Sequence, residues 1–153
     1  ETDKYAKSGN AIYKFPIANV QGYNFSFSGL KTAVLYFLKD SLKNNPEFLN
    51  DNLADLCCSI QKNIVEALIQ KLKSAALKYE VKSIGIAGGV SANSKLREEL
   101  KALSIQYSLK LLIPKLSYCT DNGAMIAISG YFKYLRSEFS DDSIIPLARY
   151  PLI

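Results

Sequence analysis

Three short segments of this chain hold the residues best able to do chemistry. The first is Gly85-Ile86-Ala87-Gly88-Gly89-Val90-Ser91-Ala92-Asn93. Two glycines directly after an apolar run let backbone approach a ligand with no Cβ in the way, and they permit positive φ. A helix starting just beyond them, with Ser91 as its N-cap, turns unpaired N–H groups and a positive dipole end toward the same space. That arrangement suits phosphate. Asn93 in the first turn offers an amide donor and an acceptor to a base or ribose. Pattern alone leaves open a plainer reading, a strand-to-helix turn whose glycines only permit close packing.

The second segment is Ser117-Tyr118-Cys119-Thr120-Asp121-Asn122-Gly123-Ala124-Met125. It follows a second predicted strand, at the end where open parallel sheets bind ligands. Asp121 is either an N-cap, worth about 1 kcal/mol, or a hard oxygen ligand for a metal if Thr120 caps instead. The third segment is Asn24-Phe25-Ser26-Phe27-Ser28-Gly29-Leu30-Lys31-Thr32. Ser28 is a good N-cap there. Lys31 falls in a first helical turn, where the dipole disfavours a cation, so Ser28 and Lys31 are accessory candidates beside a simple solvated lysine.

Periodicity supplies the elements that must position these residues. Leu30, Ala33, Val34, Phe37 and Leu38 form one helical stripe that Asn44, Asn45 and Pro46 stop. A long helix is predicted over 51–78 from Leu53, Leu56, Cys57, Ile60, Ile64, Ala67, Leu68, Lys71, Leu72 and Ala75, its lysines most simply reading as a solvated face. Strands are predicted at 81–87 and 109–113, helices at 91–103 and 120–136, and a short strand at 12–15. Strand–helix–strand–helix order argues for parallel pairing. It also places the Gly88 and Asp121 loops on one sheet edge. The fold class is therefore α/β and helix-rich, with few parallel strands. Residues 1–80 read as a mainly helical subdomain and 81–153 as a nucleotide-binding part. Two strands make a poor sheet, so the chain reads as part of an α/β domain.

Composition excludes more than it assigns. The 153 residues contain no His, which removes the commonest general base and metal ligand. A His triad, zinc-His site or His proton shuttle would need an imidazole from elsewhere. Cys57, Cys58 and Cys119 have no metal-ligand or disulfide spacing, and read as buried thiols in a reducing, cytoplasmic setting. A net charge of +5 is compatible with a nucleic-acid or phosphate partner without being a signature of one. No apolar run is long enough to span a membrane. Glu at position 1 reads as numbering that begins inside a longer protein.

Phe25-Ser26-Phe27-Ser28-Gly29-Leu30-Lys31-Thr32, Ala87-Gly88-Gly89-Val90-Ser91-Ala92-Asn93 and Thr120-Asp121-Asn122-Gly123-Ala124-Met125-Ile126-Ala127 together resemble three signatures of the TsaD family, formerly the glycoprotease or O-sialoglycoprotein endopeptidase family. The match follows the family's order and covers its C-terminal half. The resemblance implies part of an actin-like (ASKHA, RNase H-like) fold. It implies transfer of threonylcarbamoyl from threonylcarbamoyl-adenylate to the exocyclic amine of an adenosine beside the tRNA anticodon. By matching positions, Asn93 binds the adenylate, Gly88 and Gly89 let backbone approach it, and Asp121 ligates one divalent metal, iron or zinc. The remaining metal ligands, two His of an HxxxH helix, belong to an N-terminal half not in this chain. An acidic nucleotide contact and a glycine are likewise expected upstream of Glu1. Implied partners are tRNA, that missing half, and TsaB-like and TsaE-like proteins.

Two other classes compete with this reading. One is a non-catalytic actin-like scaffold or binding module, which has no reason to keep both Asn93 and Asp121. The other is an actin-like-superfamily ATPase or kinase, which shares the Gly-Gly loop by fold analogy but not the Phe-Ser-Phe-Ser-Gly-Leu-Lys segment. A protease reading has no support: no Ser or Cys here has a His to activate it. The implied transfer needs no covalent nucleophile, and the fragment alone is expected to be inactive.

Overall fold

A computed structural model describes residues 1–18 and 20–145. Five α-helices and two strands are formed: α1 Thr2–Ala6, α2 Ser28–Asn44, α3 Phe48–Lys78, β1 Ser83–Gly85, α4 Ser94–Gln106, β2 Lys110–Leu112 and α5 Gly123–Leu135, with 3₁₀ turns at Gly89–Ala92 and Leu116–Tyr118. The strands pair in parallel, Ile84 opposite Leu111, making a two-stranded sheet. The expected α/β, helix-rich class with few parallel strands is what forms.

One compact unit is Glu1–Cys119, and a second begins at Thr120 and carries α5. The first spans both the helical stretch 1–80 and the strand–helix–strand that follows. Packing joins them: Val65 and Ala76 of α3 share one core with Ile84 of β1 and with Leu96, Leu100 and Leu103 of α4. The end of the expected 81–153 part, residues 146–153, lies outside the described residues.

The 31-residue α3 is about 46 Å long at 1.5 Å per residue. Of the predicted stripe only Leu56 is buried and the rest is half-buried; Val65 and Ala76, outside that stripe, are buried as well, and so are the polar Ser59, Gln61 and Asn63. Their side chains tie down the opening segment. Ser59 Oγ accepts from Tyr13 N, Asn63 Nδ2 donates to the Phe15 carbonyl, and Gln61 Nε2 donates to Asp3. The predicted strand at 12–15 does not form. Its backbone groups pair with α3 side chains instead of a neighbouring strand. Gly9 permits this closeness: a Cβ there would sit 2.1 Å from the Ala54 carbonyl oxygen. Cys119 is buried, whereas Cys57 and Cys58 are only half-buried.

Helices α3, α4 and α5 end alike. Glu80 (φ 49°), Ser108 (φ 52°) and Ser137 (φ 56°) all adopt the left-handed conformation just past the last turn. The next N–H then reaches back, from Val81 to Ala76, Leu109 to Ser104 and Glu138 to Lys133, closing a Schellman motif. No residue of α5 is buried: Ile126 is 77% exposed and Tyr131 54%.

Candidate functional site

After β1 the backbone turns through Gly88, whose φ of 76° is open to glycine and strained for other residues. A Cβ on Gly88 or Gly89 would meet nothing within 4 Å. The N–H groups of both glycines donate to no acceptor among the described residues. The turn is thus an open, donor-bearing piece of backbone, and packing does not explain its glycines.

Asn93 holds the next position, but not as the sequence predicts. Ser91 is not the cap of α4: a 3₁₀ turn intervenes, α4 starts at Ser94, and Asn93 caps it by accepting from Leu96 N at 2.9 Å. Asn93 Oδ1 also accepts from Gln61 Nε2 at 3.3 Å, and Nδ2 has no partner among the described residues. The start of α4 is not free for phosphate either. Asp3 Oδ1 accepts from Ser94 N (3.2 Å), Ser94 Oγ (2.8 Å) and Gln61 Nε2 (2.9 Å). Any anion-binding donors therefore lie earlier, at Gly88 and Gly89. Two buried polar atoms, Gln61 Oε1 and Ser91 Oγ, have no partner among the described residues.

Asp3 is the residue that sequence reasoning missed here. Burial pushes its carboxyl up, but hydrogen bonds from Ser94 Oγ, Gln61 and Ser94 N, with the charge of Lys7, outweigh this and hold it below its ordinary value. A depressed carboxyl stabilises the fold above its unfolded value of about 3.9 and loses that contribution as pH falls through the folded one. Urea unfolding of wild type and Asp3→Asn is expected to show a stability gap that is constant near neutrality and shrinks below about pH 4. A gap that does not change with pH contradicts the assignment.

Arg97 braces the same edge. Its Nε donates to the Ser91 carbonyl at 2.6 Å, and its Nη2 to the Pro114 carbonyl at 2.9 Å and Cys119 Sγ at 3.2 Å. One guanidinium thereby holds the loop after β1 against the loop after β2.

The remaining candidates lie on other elements. Ser28 is the first residue of α2, not its cap. Phe27 takes the cap position without a side-chain cap bond, and its ring stacks on Phe25 instead. Lys31 is exposed and forms no ion pair among the described residues. In the second unit neither Thr120 nor Asp121 caps α5. Asn122 does so, accepting from Met125 N at 3.2 Å and donating to the Thr120 carbonyl at 3.0 Å. Asp121 is exposed, with no hydrogen bond or ion pair among the described residues. No group of three His, Cys, Asp or Glu able to hold a metal comes together among them. Asp121 thus supplies a single carboxylate at most, and the described residues do not complete a centre. No described helix is long and apolar enough to cross a membrane.

Known proteins match the same segments. The sequence profile of the family described as "TsaD: tRNA N6-adenosine threonylcarbamoyltransferase" matches residues 1–128. The chain belongs to the TsaD family. Among TsaD relatives, the tRNA N6-adenosine threonylcarbamoyltransferase of Christiangramia forsetii is 50% identical over 149 residues, covering 97% of this chain and 44% of the relative. That of Riemerella anatipestifer is 47% identical over 151 residues (98% and 44%), and that of Porphyromonas gingivalis 44% over 148 (96% and 43%). This chain therefore spans under half the length of the curated TsaD proteins it matches.

Proposed function

We propose that this chain is the C-terminal part of a tRNA threonylcarbamoyladenosine-forming transferase with an actin-like fold, working in the cytoplasm with TsaB-like and TsaE-like partners. The supporting observation is that, among the described residues, the N–H groups of Gly88 and Gly89 and, a few residues on, the Nδ2 of Asn93 have no partner, in a chain of this family. In this reading the two glycine donors hold phosphate oxygens of threonylcarbamoyl-adenylate, where charge builds as the adenylate departs. Asn93 Nδ2 donates to an acceptor on base or ribose, while its Oδ1 stays fixed as the helix cap. Asp3, Ser94 and Gln61 keep that side chain in place.

The exocyclic amine of adenosine attacks the carbamoyl carbon. A C–N bond forms, the C–O bond to the phosphate breaks, AMP leaves and the amine gives up a proton. Asp121 is one carboxylate ligand of a divalent metal, iron or zinc, whose other ligands come from outside these residues. A bound metal of that kind supplies Lewis-acid stabilisation of oxygen charge.

The test is transfer from threonylcarbamoyl-AMP to an adenosine-containing tRNA, assayed with the full-length polypeptide and with the 153-residue chain, each supplied with the TsaB-like and TsaE-like proteins. The full-length protein is expected to transfer and the chain alone to be inactive. A full-length protein without transfer overturns the function, and an active chain overturns the need for outside ligands.

A further inference from the structure

Between Asp3 and Asp40 the chain has no acidic residue, but it has Lys4, Lys7, Lys14, Lys31 and Lys39. From residue 70 to 82 it has Lys71, Lys73, Lys78 and Lys82 against Glu80 alone. These two acid-poor stretches meet in the first compact unit. Lys71 Nζ donates to the Val20 and Gly22 carbonyls at 2.7 and 2.8 Å, fastening the loop that carries Tyr23, Phe25 and Phe27 onto the C-terminal half of α3.

The fastened loop makes a strip in which aromatic rings and ammonium groups alternate. Phe25 and Phe27 lie nearly parallel, 7° apart with centroids 6.2 Å from each other, and are 48% and 37% exposed. Lys71 Nζ is 5.9 Å from the Phe25 centroid. Farther along α3, Tyr23 and Tyr79 pair at 5.8 Å, and Lys78 Nζ sits 5.8 and 5.7 Å from their rings. Tyr79 is 62% exposed. Beside Phe25 and Phe27 a cleft of about 240 Å³ opens against Leu30, Ala67 and Lys71. That is below the ~300–1,000 Å³ of sites that enclose drug-sized ligands, so it suits one planar ring.

Exposed rings at a protein surface need a reason, since open aromatic area is costly to leave in water. The ammonium groups beside those rings, Lys71 and Lys78, have no carboxylate partner among the described residues, which narrows the choice of occupant. A neutral apolar partner would strand the charges. A double helix would present phosphates but hide its base faces. Unpaired nucleotides offer both a π-face for each ring and a phosphate for each lysine. We infer that the strip Phe27–Phe25–Tyr23–Tyr79, with Lys78, binds unpaired RNA nucleotides by stacking and phosphate contact. This rests on the reading above that tRNA is the substrate, and gives its single-stranded loop a place on this chain.

The test uses the folded 153-residue chain and two probes, an unstructured RNA heptamer and an RNA duplex of the same length. Wild type is expected to favour the single strand. Tyr79→Ala and Phe25→Ala are each expected to weaken that binding about five- to a hundredfold, the worth of one stacked base, while Tyr79→Phe keeps it. Lys78→Gln is expected to reduce the slope of log affinity against log salt by about 0.7. Tyr79 and Lys78 are exposed and make no side-chain hydrogen bond among the described residues, so these variants leave the fold alone even if Phe25→Ala does not. Equal affinity for the duplex, no heptamer binding, or unchanged binding by Tyr79→Ala and Lys78→Gln overturns the inference. So does protection of Tyr79 from covalent labelling in the RNA-free full-length polypeptide, which would mean a protein occupant. The two readings fail separately. Transfer unaffected by Tyr79→Ala and Lys78→Gln together removes the strip and leaves the function. RNA binding on the strip in a full-length protein without transfer does the reverse.

Discussion

Asp121→Ala in the full-length polypeptide is expected to remove bound metal and to lower threonylcarbamoyl transfer by at least about a hundredfold, the upper end of what even a second-sphere partner of a metal ligand commands. The expectation rests on what Asp121 does not do. Asn122 supplies the cap of α5, and Asp121 has neither an ion pair nor a hydrogen bond among the described residues. Its loss therefore leaves the helix start intact, and stability is expected to move by no more than about 0.5 kcal/mol. Asn122→Ala is the contrasting variant, costing about 1 kcal/mol as a lost cap through a helix whose metal ligand remains. Metal stoichiometry, turnover and urea unfolding of both variants separate the two roles. Full metal content with near-normal turnover in Asp121→Ala would reduce this carboxylate to a surface charge.

A second large effect belongs to the core. Leu100 is 0% exposed and lies where α3, α4 and β1 converge, among Val65, Ala76, Ile84, Leu96 and Leu103. Leu100→Ala removes three buried carbons from a site walled by two helices and a strand, where collapse into the cavity is limited. The expected loss is about 3 kcal/mol, within the usual 2–5 kcal/mol for such truncations. Ile105, on the same helix but 80% exposed, is the control, and its change to alanine is expected to stay within about 0.5 kcal/mol. Denaturant midpoints of the two variants check this. Similar midpoints would mean that α4 does not pack as described.

What the sequence revealed was mainly what its periodicity encodes. The stripe of α3, the apolar runs that become β1 and β2, and the stop at Asn44 all report on local burial, and each forms within a few residues of its expected place. Helix starts were harder, for a physical reason. Ser91-Ala92-Asn93-Ser94 and Thr120-Asp121-Asn122 each offer several cap-competent side chains in succession, so local chemistry does not choose among them. Distant contacts do. Arg97 fixes the Ser91 carbonyl and Asp3 occupies the Ser94 donors from 91 residues away, leaving Asn93 to cap. The same distance hid Asp3, which looked like an ordinary residue of a turn-rich opening. Ser59, Gln61 and Asn63 were hidden differently. Ser59 and Asn63 are polar at buried positions because they serve backbone groups of Tyr13 and Phe15, which lack a strand neighbour, and Gln61 because its amide donates to the side chains of Asp3 and Asn93. Of the candidate site, Gly88, Gly89 and Asn93 were legible from residue type, whereas the bonds that decide which of their atoms are free were not.

The three left-handed helix ends also bear on how far this chain can be made to withstand heat. Glu80, Ser108 and Ser137 each hold a conformation that costs a side-chain-bearing residue about 1–2 kcal/mol. Each contributes to its motif through backbone N–H, which glycine keeps. Glycine gives back about 0.4–1 kcal/mol through the greater freedom of the unfolded chain, leaving a net gain of up to about 1 kcal/mol per position. The sites are far apart in sequence, two in the first compact unit and one in the second. Three point changes, none in the core and none in the glycine turn after β1, thus form a ready route to a hardier protein for the biochemical work described above.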